Sequence, residues 1–250
     1  MSNLRHLRVL ITGASRGLGR EIARVCAQKG ASLVLHYGQN HQAMDVLREE
    51  LGPAVAGSIA LDLSSKGAGS KLWAKAREML PELNGLVNNA AIATPVSFSD
   101  EEDGWQDGWS RTLAINLQAP ADLCRAAIAD FTKTGGGQII NIASRAGQRG
   151  DKMDFAAYAA SKGGLLALTR TLAKGAATHG VTAYAIAPGW IETDMAPLPG
   201  SIRDAAMAET PLGQFAEPKE IAELTAFLLS GTCKSATGAT FDVNGASYLR

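Results

Sequence analysis

The sequence has no surplus of charge of either sign. Lys plus Arg number 24, Asp plus Glu number 24, and the formal net charge is zero. Grasping a phosphate backbone requires excess positive charge, so no general nucleic-acid partner is expected, although a local basic pocket remains open. Cysteine is scarce. Cys26, Cys124 and Cys233 lie far apart with no CxxC pair, which leaves neither a disulfide framework nor a thiolate metal site and predicts reduced, buried thiols. Long apolar runs are missing too: none approaches the roughly 18 residues that cross a bilayer. Val9 to Ile11 is too brief for a signal h-region. No Pro/Ser-rich linker and no tandem repeat divides the chain. These absences predict a soluble cytoplasmic protein with no membrane partner and no metal.

What is present is a long chain rich in core-forming residues. Its 250 residues are 46% hydrophobic and 19% charged, enough for one large domain spanning 1–250. Short apolar runs alternate with helix-like stretches. Strands are expected at Arg8–Thr12, Ser32–His36, Ser58–Leu61, Gly85–Asn88, Gln138–Ala143, Thr182–Ala187 and Thr240–Val243. Helices are expected at Leu18–Lys29, Gln42–Leu51, Leu72–Leu80, Trp109–Thr132, Phe155–Thr178 and Lys219–Leu229. Runs such as Val9-Leu10-Ile11 are apolar throughout rather than alternating, as strands covered on both faces are. The fold class is therefore α/β: a single-domain, doubly wound parallel sheet of Rossmann type, about seven strands with helices on both faces. Ligands should bind at the C-terminal strand ends.

Thr12-Gly13-Ala14-Ser15-Arg16-Gly17-Leu18-Gly19 falls between the first strand and first helix. Glycines there allow a tight turn and a close backbone approach to a pyrophosphate, and the helix N-terminus supplies free N–H groups. The GxxxGxG spacing differs from the GxGxxG dinucleotide fingerprint, but the strand–turn–helix context is the required one. After the second strand the chain reads His36-Tyr37-Gly38-Gln39-Asn40, with no carboxylate to bind a ribose 2′-OH or repel a 2′-phosphate. Arg16 can bring positive charge to that place, which favours NADP(H); a capping role for Arg16 in a surface turn is the plainer reading. His36 is expected either to add charge at lower pH or to be solvated.

The chain resembles the short-chain dehydrogenase/reductase family, and most of all its 3-oxoacyl-acyl-carrier-protein reductases. The resemblance rests on TGASRGLG at 12–19, Asp62-Leu63, NNAA at 88–91, Asn116, Ser144, YAASK at 158–162 and PGWIETDM at 188–195, and it covers nearly the whole chain. It implies that Tyr158 is the acid/base, that Lys162 assists it and holds the nicotinamide ribose, that Ser144 orients the substrate oxygen, and that Asn116 supports a water-linked proton path. It implies cofactor contacts from Gly13, Ser15, Arg16, Gly17, Leu18, Gly19, His36, Tyr37, Asp62, Leu63, Asn89, Ala90, Ala91, Pro188, Gly189, Ile191 and Thr193. The residues make chemical sense of this. Tyr158 and Lys162 are four apart and share a helix face, and a nearby ammonium is expected to lower the phenol from its usual value of about 10. Taken singly, each has an ordinary structural reading, such as a helix N-cap for Asp62.

Three departures from the family pattern stand out. Ala91 replaces the glycine of NNAG. Val243-Asn244-Gly245-Ala246 replaces VDGG, which bears on local packing. The separation between Ser144 and Tyr158 is slightly long, and its loop is unusually charged, so that either Arg145 or Arg149 faces the pocket and prefers a polar or anionic substrate, or both point to solvent. Met195 to Met207, with Pro197, Pro199 and Gly200, is expected to form a substrate lid around 195–210. Glu101-Glu102-Asp103 reads as a solvated helix start, with Trp105 and Trp109 as packing. Small residues crowd the Tyr158 helix, and the family implies a homotetramer. The expected activity is hydride transfer between NADP(H) and a carbonyl or secondary alcohol, with a 3-oxoacyl thioester as substrate and acyl carrier protein as a possible partner. A thinned basic patch near Lys133 and His179 leaves a free small ketone, sugar or polyol as the alternative. A non-catalytic NADPH-sensing protein is a further one.

Overall fold

The computed structural model describes residues 3–193, 196 and 198–249. A seven-stranded sheet has the order β3-β2-β1-β4-β5-β6-β7. The strands are β1 (Arg8–Ile11), β2 (Ser32–Tyr37), β3 (Val55–Ala60), β4 (Gly85–Asn88), β5 (Gly137–Ile142), β6 (Val181–Pro188) and β7 (Thr240–Val243), and every pairing is parallel. The doubly wound expectation holds. Strand β3 begins earlier than the apolar run Ser58–Leu61 suggested, because its first turns lean on half-buried Val55 rather than on a continuous apolar segment.

The faces of the sheet explain the apolar strands. In β1, Val9 and Ile11 join one core with Ile22 and Val25 of α1 (Gly17–Gln28), Met44 and Leu47 of α2 (His41–Leu51), and Ile221 and Leu229 near the C-terminus. Leu10 between them faces the other core, with Leu72 and Trp73 of α3 (Ala68–Met79). Residues on alternate sides of one strand are thus all buried, which is why no polar alternation is visible.

The expected helix from Trp109 to Thr132 starts sooner and is interrupted. It consists of α4 (Glu102–Leu113), one π-helical stretch Ala114–Gln118, and α5 (Ala119–Thr134). Glu102 and Asp103 occupy the first turn of α4, where negative charge suits the helix dipole. Trp105 and Trp109 pack on each other at 5.3 Å, with Phe98 against Trp105 at 4.7 Å. The widened stretch has a cause in the sequence. An α-helix would pair the Asn116 carbonyl with the N–H of residue 120, but that residue is proline, which has none and crowds the carbonyl four residues back. The amide of Ala119 instead bonds the Ala114 carbonyl.

After β5 the charged loop folds into a short helix, α6 (Ala146–Arg149). Helix α7 (Ala156–Ala176) follows and carries Tyr158 and Lys162. The expected lid contains helix α8 (Ser201–Ala208), while Asp194, Met195 and Pro197 lie outside the described residues. The last helix is α9 (Pro218–Leu229). No helix among the described residues is long and apolar enough to cross a membrane. Cys26 and Cys124 are buried, and burial pushes both thiols up to about 12, whereas Cys233 is only half-buried.

Candidate active site

The chain switches direction in the sheet between β1 and β4, and the glycine turn after β1 meets the segment after β4 there. Thr12 ties the two together. Its hydroxyl accepts from the amides of Asn89 (2.9 Å) and Ala90 (3.0 Å), and Asn89 Nδ2 returns a bond to the Thr12 carbonyl at 2.9 Å. Gly13 stands at φ 67°, in the left-handed region that favours glycine. A methyl group on Gly19 would sit 2.2 Å from the Gly13 carbonyl oxygen, so the turn closes on α1 only with glycine there. Ser15 is buried and Ala14 wholly so. Arg16 is the N-cap of α1 and makes no side-chain cap bond, and the first turn holds no acid. The opening N–H groups of α1 therefore lack a side-chain acceptor and suit an anion. Arg16, Gly17, Arg20, Arg24, Asn40 and Thr193 line a cavity of about 400 Å³ beside this turn.

His36 corrects an expectation. It is neither solvated nor a source of charge. The ring is 2% exposed, its Nδ1 accepts from the Gly13 amide at 3.2 Å, and its Nε2 lies 2.9 Å from the Leu61 carbonyl. Those partners require the neutral tautomer with the proton on Nε2. Burial pushes its pKa down to about 4. Tyr37 is also buried, its hydroxyl 2.9 Å from His41 Nδ1. Asp62 is not a helix N-cap; α3 begins after Gly67. Its carboxylate accepts from the Ser64 amide at 2.9 Å and pairs with Arg111 at 3.5 Å, and these hold it below the usual carboxylate range, with the Ser64 backbone bond the largest cause. Leu63 is buried beside it.

The candidate reaction residues converge. Ser144 follows β5, its hydroxyl accepts from the Ala146 amide at 3.1 Å, and its side chain is near enough to the Tyr158 phenol to oppose the effect of burial on it. Lys162 is 2% exposed, its Nζ donates to the Ile142 carbonyl at 2.7 Å, and it stands 5.8 Å from the centre of the Tyr158 ring. Burial lowers Lys162 to about 8. The expected lowering of Tyr158 is not found. Burial dominates and raises the phenol, with the Ser144 hydroxyl opposing it. The Asn116 side chain is committed to the chain after β4: Nδ2 donates to the Ile92 carbonyl (2.8 Å) and Oδ1 accepts from its amide (2.9 Å). Asn116 Nδ2 also reaches the Ser161 hydroxyl at 3.1 Å, and that hydroxyl donates to the Tyr158 carbonyl at 2.7 Å. Thr12 and Ser161 are thus structural members of the site that sequence reasoning did not single out.

On the far side, Pro188 and Gly189 end β6. The Gly189 amide donates to the Val243 carbonyl at 2.9 Å, and Ile191 bridges to Ala216. Arg145 also corrects an expectation, because it does not point to solvent. It is 5% exposed, lies 6.0 Å over the Trp190 ring, and has Glu209 at 3.7 Å. Arg149 reaches the same carboxylate at 3.5 Å.

Comparison with known proteins agrees with this geometry. A family model described as enoyl-(acyl carrier protein) reductase matches residues 13–246. The chain is 34% identical to the 3-oxoacyl-acyl-carrier-protein reductase FabG of Vibrio cholerae over 99% of each chain. It is 34% identical to FabG of Escherichia coli over 96% of each. A crystal structure of blue fluorescent protein from a metagenomic library in complex with NADPH superposes with a TM-score of 0.90 at 31% identity, covering 99% of this chain and 100% of that one. The chain belongs to the short-chain dehydrogenase/reductase family.

Proposed function

We propose that the chain is an NADP(H)-dependent reductase that transfers hydride to the ketone of a 3-oxoacyl thioester. The observation that carries this is the half-buried Tyr158 on α7, with the Ser144 side chain beside its phenol and the buried Lys162 Nζ 5.8 Å from its ring. Two hydroxyl donors then meet at one point, where a ketone oxygen would gather charge. A phenol raised by burial keeps its proton at neutral pH and so serves as a donor, the role reduction needs.

The residues around the glycine turn fit a dinucleotide: the Gly13 and Gly19 positions leave no room for side chains, and the α1 amides lack an acidic cap. Gly13, Ser15, Arg16, Gly17, Leu18 and Gly19 would hold the pyrophosphate. Arg16 would hold a 2′-phosphate, with no carboxylate following Tyr37 to oppose it. His36 would act through Gly13 rather than by its own charge. Asp62 and Leu63 would flank the adenine, and Asn89, Ala90, Ala91, Pro188, Gly189, Ile191 and Thr193 would line the nicotinamide side. The cofactor supplies the hydride when bound. Ser144 orients the substrate oxygen, and Tyr158 gives it the phenolic proton as the carbonyl π pair moves onto it. Lys162 then stabilises the phenolate, and Asn116 positions the surrounding segments.

The family description names an enoyl substrate, the relatives a 3-oxoacyl one. Ser144 and Tyr158 favour the latter, because a ketone oxygen takes both the hydrogen bond and the proton, whereas an enoyl group must finally be protonated at carbon. The relatives' names support a carrier-linked acyl group. The small, part-exposed residues of α7 support a homotetramer, which with a cytoplasmic location completes the proposal. NADPH oxidation is measured with acetoacetyl, crotonyl and free-ketone substrates. Fast turnover of the acetoacetyl thioester alone supports the reading. Turnover of crotonyl thioester instead overturns it, and turnover only of a free ketone moves the substrate class.

A further inference from the structure

Arg145 follows Ser144 directly, and its guanidinium is buried between Trp190, just past the end of β6, and Glu209. It is 5% exposed, and its Nη1 is buried with no acceptor among the described residues. Among the described residues its Nη2 has only Glu209, at 3.7 Å, beyond ordinary hydrogen-bond length. A buried guanidinium with idle donors is costly, and a protein that only needed to fill this space would do better with an apolar side chain. The Arg145 backbone is fixed by its amide's bond to the Pro188 carbonyl at 3.0 Å, and its guanidinium lies over Trp190. A guanidinium fixed at its backbone, 6.0 Å over an indole and with donors unused, is a ready receptor for a planar carboxylate. Its neighbours mark the preferred ligand. Arg149 also turns to Glu209, so two cations share one carboxylate, supplied by the residue that ends lid helix α8.

We infer that Arg145 selects a substrate bearing a carboxylate of its own, for which Glu209 stands in when the substrate is absent. This rests on the reductase reading for the chemistry and adds the charge of the substrate to it. The ligand class is an oxo acid, or an oxoacyl thioester whose chain ends in a carboxylate, rather than a neutral 3-oxoacyl chain. Entry of the substrate carboxylate would release Glu209 and with it the end of α8, linking substrate charge to lid position.

Two matched pairs test this: acetoacetate against methyl acetoacetate, and 3-oxoadipyl against 3-oxohexanoyl thioester of N-acetylcysteamine. Each member is titrated calorimetrically into the NADP⁺-loaded Tyr158→Phe variant, where no turnover can occur, and kcat/KM is measured in the wild type. The charged member of at least one pair should bind tenfold or more tighter. Arg145→Met should bring that ratio close to one, and Glu209→Gln should raise it, since the competing carboxylate is gone. Equal binding within both pairs overturns the inference, as does an Arg145→Met variant that weakens both members alike. The wild-type ratio decides the matter even if Arg145→Met does not fold. Because the titrations need no chemistry, failed turnover of every substrate would count against the reductase reading and not against charge selection.

Discussion

Lys162 donates from Nζ to the carbonyl oxygen of Ile142 at 2.7 Å, two residues before Ser144 along the same strand end. The bond anchors the base of α7 to β5, so Tyr158, one turn earlier, is held against Ser144. It also leaves a buried ammonium with a single acceptor among the described residues. Burial lowers Lys162 to about 8 from its ordinary 10.5. The folded state therefore binds fewer protons than the unfolded one between those values, and this residue's contribution to stability rises with pH across that window. In the cofactor-free protein, the stability difference between wild type and Lys162→Met should grow in favour of wild type from pH 8 to pH 10, by at most about 1.4 kcal/mol per unit. Urea unfolding at several pH values measures it, and the difference cancels the opposing effect of Cys26 and Cys124, whose raised thiols favour the unfolded state above pH 9. A difference that stays flat would mean that the ammonium is not desolvated.

His36 makes a prediction at the acid end. Its Nδ1 accepts from Gly13, so protonation there would set a ring N–H against an amide N–H. The folded pKa is about 4 against an ordinary 6.5, so stability from this group is complete above 6.5 and is lost as the pH falls toward 4. The glycine turn itself should loosen only as the folded ring takes up its proton, near pH 4. NADPH affinity, followed by fluorescence titration, should hold from pH 6 to pH 5 and fall as the pH approaches 4 in the wild type. His36→Gln, which can still accept through its amide oxygen, should lose less. Equal losses in both would place the pH dependence elsewhere.

Ala246 stands at φ 65°, a left-handed conformation that a Cβ disfavours by about 1 kcal/mol. It occupies the place where the family pattern has glycine, so the departure noted in the sequence has a definite cost. Ala246→Gly should raise stability by up to about 1 kcal/mol, or roughly 2–4 °C in Tm for a chain of this size. Calorimetry measures the shift. A lower Tm would show that the Ala246 methyl group packs well enough to offset the strain.

Much of this arrangement is legible in the sequence, and the parts that are not share a cause. Glycine spacing, all-apolar strands and the Tyr158–Lys162 interval are local signals, and the turn, the sheet and the pair on α7 follow from them. His36 looks like a polar strand end until β3 pairs beside it, with His36 opposite Ile59, and brings the Leu61 carbonyl within reach. Arg145 looks like a loop cation until Trp190 and Glu209 arrive from distant elements. Thr12 and Ser161 are ordinary hydroxyls whose partners, Asn89 and Asn116, lie far along the chain. Burial of polar groups by remote segments has no local period, and it sets the pKa values of His36, Tyr158 and Lys162. Sequence spacing placed the lysine beside the tyrosine correctly; it did not show that burial dominates the Tyr158 phenol.

The central claim is that Tyr158 gives the proton. Its most direct test is the rate of NADPH oxidation by acetoacetyl thioester in wild type and Tyr158→Phe, with NADPH affinity measured in parallel. In Tyr158→Phe, kcat should fall by about 10²–10⁴, while NADPH affinity changes less than threefold. A Tyr158→Phe variant that keeps wild-type turnover would contradict the account and assign the proton to another group.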